Sequence, residues 1–267
     1  MTLKQIAYQI HSALLDIEVV DTRRALYRTV GGRLRPFFTF VFAPEAGLIL
    51  AHTLSTDPPT RQTITALLYK AMTQPADQTS GAIPGAIWLD ENTSSFASSL
   101  QRLSVKLSIP IRCFPTDLHL TGKAERFLAS LNKHIWSALP GYVGDGQGDR
   151  TKYLTLEDVE DILEDYLKVY HQSPNSQTGE SPLICWQHNC SPASADPRKL
   201  AKLLAEDTLR PLTNRGIRYK GLWYWHDELE TLSLGSKVHI FATPSLSLTK
   251  GIEVYIRDTW ITAYKVS

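Results

Sequence analysis

The stretch of sequence that decides the fold reads Ile83-Pro84-Gly85-Ala86-Ile87-Trp88-Leu89-Asp90. Its apolar run, residues 86–89, is too short for a helix and predicts a buried strand that ends at Asp90. In α/β folds the ends of strands are where reactive side chains are placed. Asp90 is therefore the first candidate residue for a functional site.

Predicted strands and helices surround this stretch on both sides. Upstream, three apolar segments predict strands joined by short turns, and a helix begins near Asp57-Pro58-Pro59-Thr60. Downstream, the apolar spacing predicts a helix, a strand and two more helices. The predicted strands are residues 14–20, 36–42, 48–54, 86–89 and 109–114, and the later helices are residues 96–107, 122–138 and 155–170. This order predicts a mixed α/β layer fold.

The C-terminal part of the sequence changes to a purely β pattern. Short alternating segments separated by turn residues are typical of a small barrel. These segments are residues 217–219, 222–225, 237–241, 251–256 and 260–265, and a short helix is predicted over residues 196–207. We therefore expect a core domain over residues 1–185, a linker with a short helix over residues 186–209 and a β-barrel over residues 210–267.

Composition narrows the class of protein. The formal net charge is +1 and the sequence pI is about 7.7, whereas a dedicated DNA-binding domain is usually visibly basic. The three cysteines, Cys113, Cys185 and Cys190, form no Cys-x-x-Cys pair, which predicts neither a disulfide framework nor a zinc site. The N-terminus lacks the features of a signal peptide, and no apolar run is long enough to span a membrane. We expect a cytoplasmic protein.

Asp90 has a candidate partner in Glu125, which lies in the helix predicted to begin at Gly122. Two-metal phosphoryl transfer needs a cluster of carboxylates, because Mg²⁺ is a hard cation that prefers oxygen ligands. The pair alone is unspecific, since the chain contains 27 acidic residues. Surface carboxylates are the simpler interpretation until the flanking residues are considered.

The flanking residues form several motifs in a fixed order. They are Ile83 to Asp90 with Phe96-Ala97-Ser98; Gly122-Lys123-Ala124-Glu125-Arg126-Phe127 with Ser130-Leu131-Asn132 and Leu139-Pro140-Gly141-Tyr142; Leu156-Glu157 to Tyr170-His171; Thr178-Gly179-Glu180-Ser181-Pro182-Leu183 with Trp186; and Arg215 to Trp225. Taken together they resemble the transposase family of phage Mu and its bacterial relatives. That family shares the RNase H-like catalytic core of retroviral integrases. The resemblance covers nearly the whole chain.

The resemblance implies a fold, a chemistry and a partner. The fold is an RNase H-like core, a mixed five-stranded sheet with flanking helices, followed by a small β-barrel. The chemistry is DNA strand transfer with Mg²⁺ or Mn²⁺, for which Asp90 and Glu125 are the implied catalytic and metal-binding residues. The partner is DNA, and Lys123 and Arg126, which flank the glutamate, are implied to lie near its backbone. Solvated helix charges are the alternative for these two residues.

Two further groups of residues are candidates for DNA contacts. Arg33 and Arg35 belong to a basic stretch around the predicted turn at Gly31-Gly32 and would suit phosphate contacts, with a solvated face as the alternative. The run Trp223-Tyr224-Trp225 would suit base stacking. Alternation along a strand favours barrel core for these aromatic residues instead.

The sequence departs from the family pattern at the first catalytic aspartate. His11 occupies that position, and a histidine, neutral or cationic, does not replace a carboxylate that bridges two Mg²⁺ ions. Asp16 is five residues further on and would face the opposite side of a regular strand. After Asp90 the chain continues Glu91-Asn92-Thr93-Ser94-Ser95, one residue more than the family has and without its turn glycine. We expect the family's N-terminal DNA-end-recognition domains and C-terminal tail to have no counterpart in this sequence.

Three functional hypotheses follow. The first is a transposase-derived DNA-binding protein with a damaged site, acting with an active transposase subunit or an ATPase regulator of transposition, or persisting as a remnant. The second is an active, Mg²⁺-dependent nucleotidyl transferase in which a strand shift brings Asp16 or Glu18 into the site. The third is a protein-binding adaptor with no DNA role. An oligomer is compatible with each of them.

Overall fold

The structure is a computed structural model that describes residues 6–20, 32–76, 79–114, 122–144, 152–175, 179–189, 196–242, 250–257 and 259–266. The chain divides into two compact units, residues 1–194 and 195–267. The predicted domain limits at residues 185 and 210 stay a prediction. The first barrel strand begins at Glu206, four residues before the predicted start of the barrel.

The first unit begins with five strands, after which helices and strands alternate. Its strands are β1 (Ala7–Leu14), β2 (Val19–Val20), β3 (Arg33–Leu34), β4 (Phe37–Ala43), β5 (Leu48–Ser55), β6 (Ala86–Leu89), β7 (Ile111–Cys113) and β8 (Leu154–Thr155). Its helices are α1 (Arg61–Thr73), α2 (Gln101–Leu107), α3 (Gly122–His134), α4 (Leu156–Gln172) and α5 (Pro182–Asn189). Single 3₁₀ segments cover Ser94–Leu100 and Trp136–Ala138.

The main sheet has five strands in the order β5-β4-β1-β6-β7. Strands β1, β4 and β5 form an antiparallel meander, and β6 and β7 are added parallel to β1. This mixed order, with helices packed against the sheet, is the RNase H-like architecture that the family resemblance implied. Strands β2, β3 and β8 form a separate small sheet.

The core under α3 and α4 is built from alternating residues of β4. Phe38, Phe40 and Phe42 are fully buried on one face of the sheet. The ring of Phe127 on α3 lies 6.0 Å from the ring of Phe40, and Tyr170 on α4 lies 5.0 Å from Phe127. Successive strand residues point to opposite faces of a sheet, so the phenylalanines at every second position of β4 all lie on one face. This is the face that α3 and α4 cover.

The structure corrects several predicted boundaries. The strand predicted over residues 14–20 is wrong: β1 covers Ala7–Leu14, and its buried polar side chains, such as those of Gln9 and Ser12, hid it from a search for apolar runs. The helix predicted over residues 122–138 ends at His134. The helix predicted over residues 96–107 is α-helical only from Gln101. The predicted turn residue Gly31 lies outside the described residues.

The second unit is a short helix and a closed barrel. The helix, α6, covers Pro197–Leu204, and Asp196 caps it by accepting a hydrogen bond from the backbone N–H of Arg198. The barrel strands are β9 (Glu206–Thr213), β10 (Gly216–Tyr219), β11 (Leu222–Trp225), β12 (Lys237–Ala242), β13 (Gly251–Ile256) and β14 (Thr259–Val266), ordered β10-β11-β14-β13-β12-β9. The helix predicted over residues 196–207 is therefore too long by its last residues, which begin β9.

Two negative findings concern the described part of the chain. No helix there is both long and apolar enough to cross a membrane. Among the described residues, Cys113 and Cys185 form no disulfide bond with each other, and Cys190 lies outside the described residues.

Candidate functional site

The two parallel central strands bring His11 and Asp90 together. Strand β1 pairs with β6 so that Ile10 lies opposite Leu89. The backbone N–H of Asp90 then donates to the carbonyl of Ile10 at 3.1 Å. Asp90 therefore follows β6 directly at the edge where the sequence predicted a reactive side chain, beside the next residue of β1, His11.

The carboxylate of Asp90 is engaged by hydrogen bonds from within the chain. The backbone N–H of Ser12 donates to Oδ2 at 2.9 Å, and the backbone N–H and the hydroxyl of Thr93 donate to Oδ1, each at 2.8 Å. Burial raises the pKa of Asp90, while the hydrogen bonds from Ser12 and Thr93 act in the opposite direction. The carboxylate of Asp90 thus links Thr93, in the turn after β6, to Ser12 of β1 through hydrogen bonds.

His11 is a buried, aromatic part of the same edge. Its ring stacks on Phe40, with centroids 5.3 Å apart, and on Phe114 at 5.7 Å. Its Nε2 lies 3.2 Å from Oε1 of Gln9. Burial lowers the pKa of His11 to about 4, so the ring is neutral near pH 7. The 3.7 Å between its Nδ1 and Oδ2 of Asp90 is consequently not an ion pair at that pH.

Glu125 lies on the exposed side of α3. The helix covers the face of the sheet to which His11 points, because Phe40, the β4 partner of His11, also contacts Phe127. Within the described residues, no three or more histidine, cysteine, aspartate or glutamate side chains form a group that could hold a metal ion. His11, Asp90 and Glu125 therefore do not make such a group.

Asp16, the acid nearest to His11 along the chain, has other partners. It follows the end of β1, and its carboxylate accepts hydrogen bonds from the guanidinium of Arg35 and from Nδ2 of Asn132, the latter at 3.1 Å. Arg35 also donates from Nε to the carbonyl of Leu15 at 2.8 Å. These hydrogen bonds fix the position of the segment after β1. The side chains of Asp16 and Arg35 therefore both have partners within the first unit.

The remaining basic candidates lie at two places on the first unit. Lys123 donates to the carbonyl of Pro44 at 2.8 Å, and Arg126 donates to the carbonyl of Gly122 at 2.9 Å. Both side chains line a groove of about 450 Å³ beside Tyr170. The guanidinium of Arg33 lies 4.5 Å from the ring centroid of Tyr153.

Several site residues were not predicted from the sequence. Ser12 and Thr93 provide the hydrogen bonds to Asp90, and Phe114 provides one of the stacking rings on His11. The spacing Asp90-x-x-Thr93 was a usable signal, because an aspartate commonly accepts hydrogen bonds from backbone and hydroxyl groups up to three residues later. The contact of Phe114 depends on the pairing of β6 with β7 and has no local signal.

Comparison with known proteins adds sequence and structural relatives. No family model matches the chain. The transposase for transposon Tn552 of Staphylococcus aureus is 23% identical over 262 residues, which is 95% of this chain and 52% of the transposase. The chain therefore spans about half the length of that relative. The chain is thus similar in sequence to a transposase, and its strand order is that of an RNase H-like core followed by a C-terminal β-barrel.

Two solved structures are similar at 13% identity. One is the catalytic core domain of BIV integrase, with a TM-score of 0.43, covering 68% of this chain and 93% of that one. The other is from a simian T-cell lymphotropic virus intasome in complex with the PP2A regulatory subunit B56 gamma, with a TM-score of 0.47, covering 100% of this chain and 81% of that one.

Proposed function

We propose that this chain is a transposase-like DNA-binding protein that acts in, or derives from, DNA transposition, and that its strand-transfer site is catalytically impaired. The observation that carries the proposal is the environment of His11. This residue stands where the family resemblance expects the first catalytic aspartate, and its ring is packed between Phe40 and Phe114. A buried neutral imidazole brings no negative charge to a pair of Mg²⁺ ions.

The other two candidates support the same proposal. Both carboxylate oxygens of Asp90 accept hydrogen bonds from Ser12 and Thr93, with which a metal ion would have to compete. Glu125 is exposed on α3. This donor set does not fit a two-metal centre of Mg²⁺ or Mn²⁺. An active Mg²⁺-dependent nucleotidyl transferase is the competing function, favoured by the motifs around Asp90 and Glu125.

A nicking assay on supercoiled DNA separates these two functions. The wild-type chain and the variants Asp90→Ala and His11→Asp are compared with Mn²⁺, which tolerates imperfect oxygen geometry better than Mg²⁺. We expect no nicking by the wild type and Mn²⁺-dependent nicking by His11→Asp. Nicking by the wild type that is lost in Asp90→Ala would contradict the proposed impairment.

DNA as the partner is tested separately, by fluorescence anisotropy with a labelled duplex. Phosphate neutralisation makes affinity fall with salt, so we expect binding to weaken at least about tenfold between roughly 50 and 200 mM salt. The variants Lys123→Ala and Arg126→Ala are expected to bind more weakly than Lys106→Ala, a control on the exposed side of α2. A chain with no salt-dependent affinity for DNA would instead be a protein-binding adaptor. A DNA-binding but impaired chain would act beside an active transposase subunit or an ATPase regulator.

A further inference from the structure

The outer face of the barrel carries aromatic and arginine side chains on three neighbouring strands. Strand β11 lies between β10 and β14, with Arg218 opposite Trp223 and Trp225 opposite Tyr264. We call Arg215, Arg218, Trp223, Trp225 and Tyr264 the aromatic–arginine face. Cross-strand partners are close neighbours on one face of a sheet, so these side chains form a continuous surface.

Burial shows which way these side chains point. Tyr224, between the two tryptophans in sequence, is fully buried in the barrel core, and the alternation of a strand therefore directs Trp223 and Trp225 outwards. Tyr264 is 59% exposed, an unusually open position for a large aromatic side chain. The sequence interpretation of the Trp-Tyr-Trp run as barrel core holds fully for Tyr224 and partly for Trp225, which is half-buried and packs against that core.

Two arginine side chains lie beside the half-buried ring of Trp223. The guanidinium groups of Arg215 and Arg218 lie 5.3 Å and 5.8 Å from the ring centroid of Trp223, within the range of cation–π contacts. Both arginines are exposed. Their charge and fork of N–H donors remain directed to solvent, where they are complementary to phosphate groups.

A second cluster of the same kind lies further along β14. Trp260 is on the same outward side as Tyr264, and the ammonium group of Lys202 on α6 lies 4.4 Å from its ring centroid. The ring of Tyr255 lies 5.0 Å from that of Trp260. One carboxylate, Glu253, lies on this outer surface opposite Thr262. A half-buried tryptophan with a cation beside it thus occurs on β11 and again on β14.

We propose that the aromatic–arginine face binds single-stranded DNA, with unpaired bases stacking on Tyr264 and the tryptophans and with Arg215 and Arg218 contacting phosphates. The inference rests on the proposed function in taking DNA as the partner. Stacking requires a base whose face is free, which a paired and stacked duplex does not offer, whereas every unpaired base offers one. The net positive charge of the face favours a phosphate backbone.

The test measures binding of a fluorescein-labelled oligodeoxythymidylate to the full chain by anisotropy. Tyr264→Ser is expected to weaken binding roughly tenfold, and Tyr264→Phe, which keeps the ring, to leave it within about twofold of the wild type. Arg218→Ala is expected to reduce the slope of log affinity against log salt by about 0.7, the value for one phosphate contact on a single strand. Leu234→Ser, at an exposed apolar residue outside the face, is the matched control.

Parallel titrations with duplex DNA and oligouridylate distinguish a failure of the aromatic–arginine face from a failure of the proposed DNA-binding function. Loss of single-strand binding in Tyr264→Ser with duplex binding unchanged supports the aromatic–arginine face. Wild-type affinity of both Tyr264→Ser and Trp223→Ser for the oligodeoxythymidylate overturns it, even if duplex binding persists. Tighter binding of oligouridylate than of oligodeoxythymidylate overturns the assignment to DNA. Single-strand binding without any duplex binding leaves the face supported and contradicts duplex binding as part of the proposed function.

Discussion

At the scale of single residues, the site is determined by what surrounds His11 and Asp90. The family resemblance singled out both positions as candidates, Asp90 because the motif around it matches and His11 because the sequence departs from the pattern there. It could not show that Asp90 is held by Ser12 and Thr93 or that His11 lies between two rings, since those contacts join β1, β4 and the residues that follow β6 and β7. Long-range pairing, rather than local pattern, creates the environment of each side chain.

The hydrogen bond from Thr93 to Asp90 is expected to contribute to stability. Thr93 is fully buried, and its hydroxyl lies 2.8 Å from Oδ1 of Asp90. Thr93→Val keeps the shape of the side chain and removes the donor, so the free energy of unfolding should fall by about 2 kcal/mol. Ser94→Ala is the control, because the hydroxyl of Ser94 bonds an exposed carbonyl. Equal denaturation midpoints for the two variants would be inconsistent with this role.

His52 on β5 is expected to make stability depend on pH. Burial, then the nearby Lys70 and His171, lowers its pKa to about 4 from the model-peptide value of 6.5. The unfolded chain therefore binds the proton more readily, and the contribution of a neutral His52 is present above pH 6.5 and is lost as the pH falls towards 4. The buried His11, whose pKa is also lowered, likewise makes the folded chain less stable as the pH falls. Asp90, whose pKa is raised, makes the folded chain more stable as the pH falls.

Comparison with His52→Phe isolates that contribution. Between pH 7 and pH 4.5 the wild type should lose about 2 kcal/mol more unfolding free energy than the variant, since part of the side chain is solvent-exposed and the effect is reduced accordingly. Urea denaturation at the two pH values measures this difference. An identical loss in both proteins would show that His52 does not titrate on unfolding.

Among the secondary-structure elements, those with a local pattern of apolar or turn residues were predicted from the sequence, and those without such a pattern were missed. Strands β4, β5, β6 and β11 and the start of α1 follow apolar periodicity or turn signals. Strand β1 was misplaced because its centre contains buried polar side chains, and β9 was missed because Glu206–Thr213 is largely polar and contains Pro211. Both strands form only because neighbouring strands supply their hydrogen bonds.

Gly216 is expected to be essential to the packing of β10 on β11. Its φ is +100°, and an added Cβ would lie 2.3 Å from the carbonyl oxygen of Tyr224. Gly216→Ala should therefore cost about 3 kcal/mol or more, through both backbone strain and a clash. Gly235, with φ +86° and open space around it, provides the control. Gly235→Ala should cost only about 1 to 2 kcal/mol; a similar loss in both variants, measured by thermal unfolding, would argue against the close contact.

At the scale of the whole molecule, a net charge of +1 conceals an uneven distribution. The sequence argued weakly against an autonomous DNA binder, because overall charge averages over every surface. Within the second unit, Arg215 and Arg218 lie together beside the half-buried Trp223, an arrangement that strand pairing produces and composition cannot reveal. The family resemblance therefore predicted the architecture, but it did not predict where basic and aromatic side chains cluster on the surface.

We propose that His11 replaces a metal-binding carboxylate, and thermal melting with and without Mn²⁺ shows whether the wild type has lost metal binding. We compare the wild type with His11→Asp and with His11→Asn, a polar control that adds no charge. The wild type and His11→Asn should melt at the same temperature in Mn²⁺ and in chelator. His11→Asp should melt lower in chelator, because its carboxylate is added to a buried site beside Asp90, and should regain several degrees with Mn²⁺. Stabilisation of the wild type by Mn²⁺ that disappears in Asp90→Ala would contradict the claim.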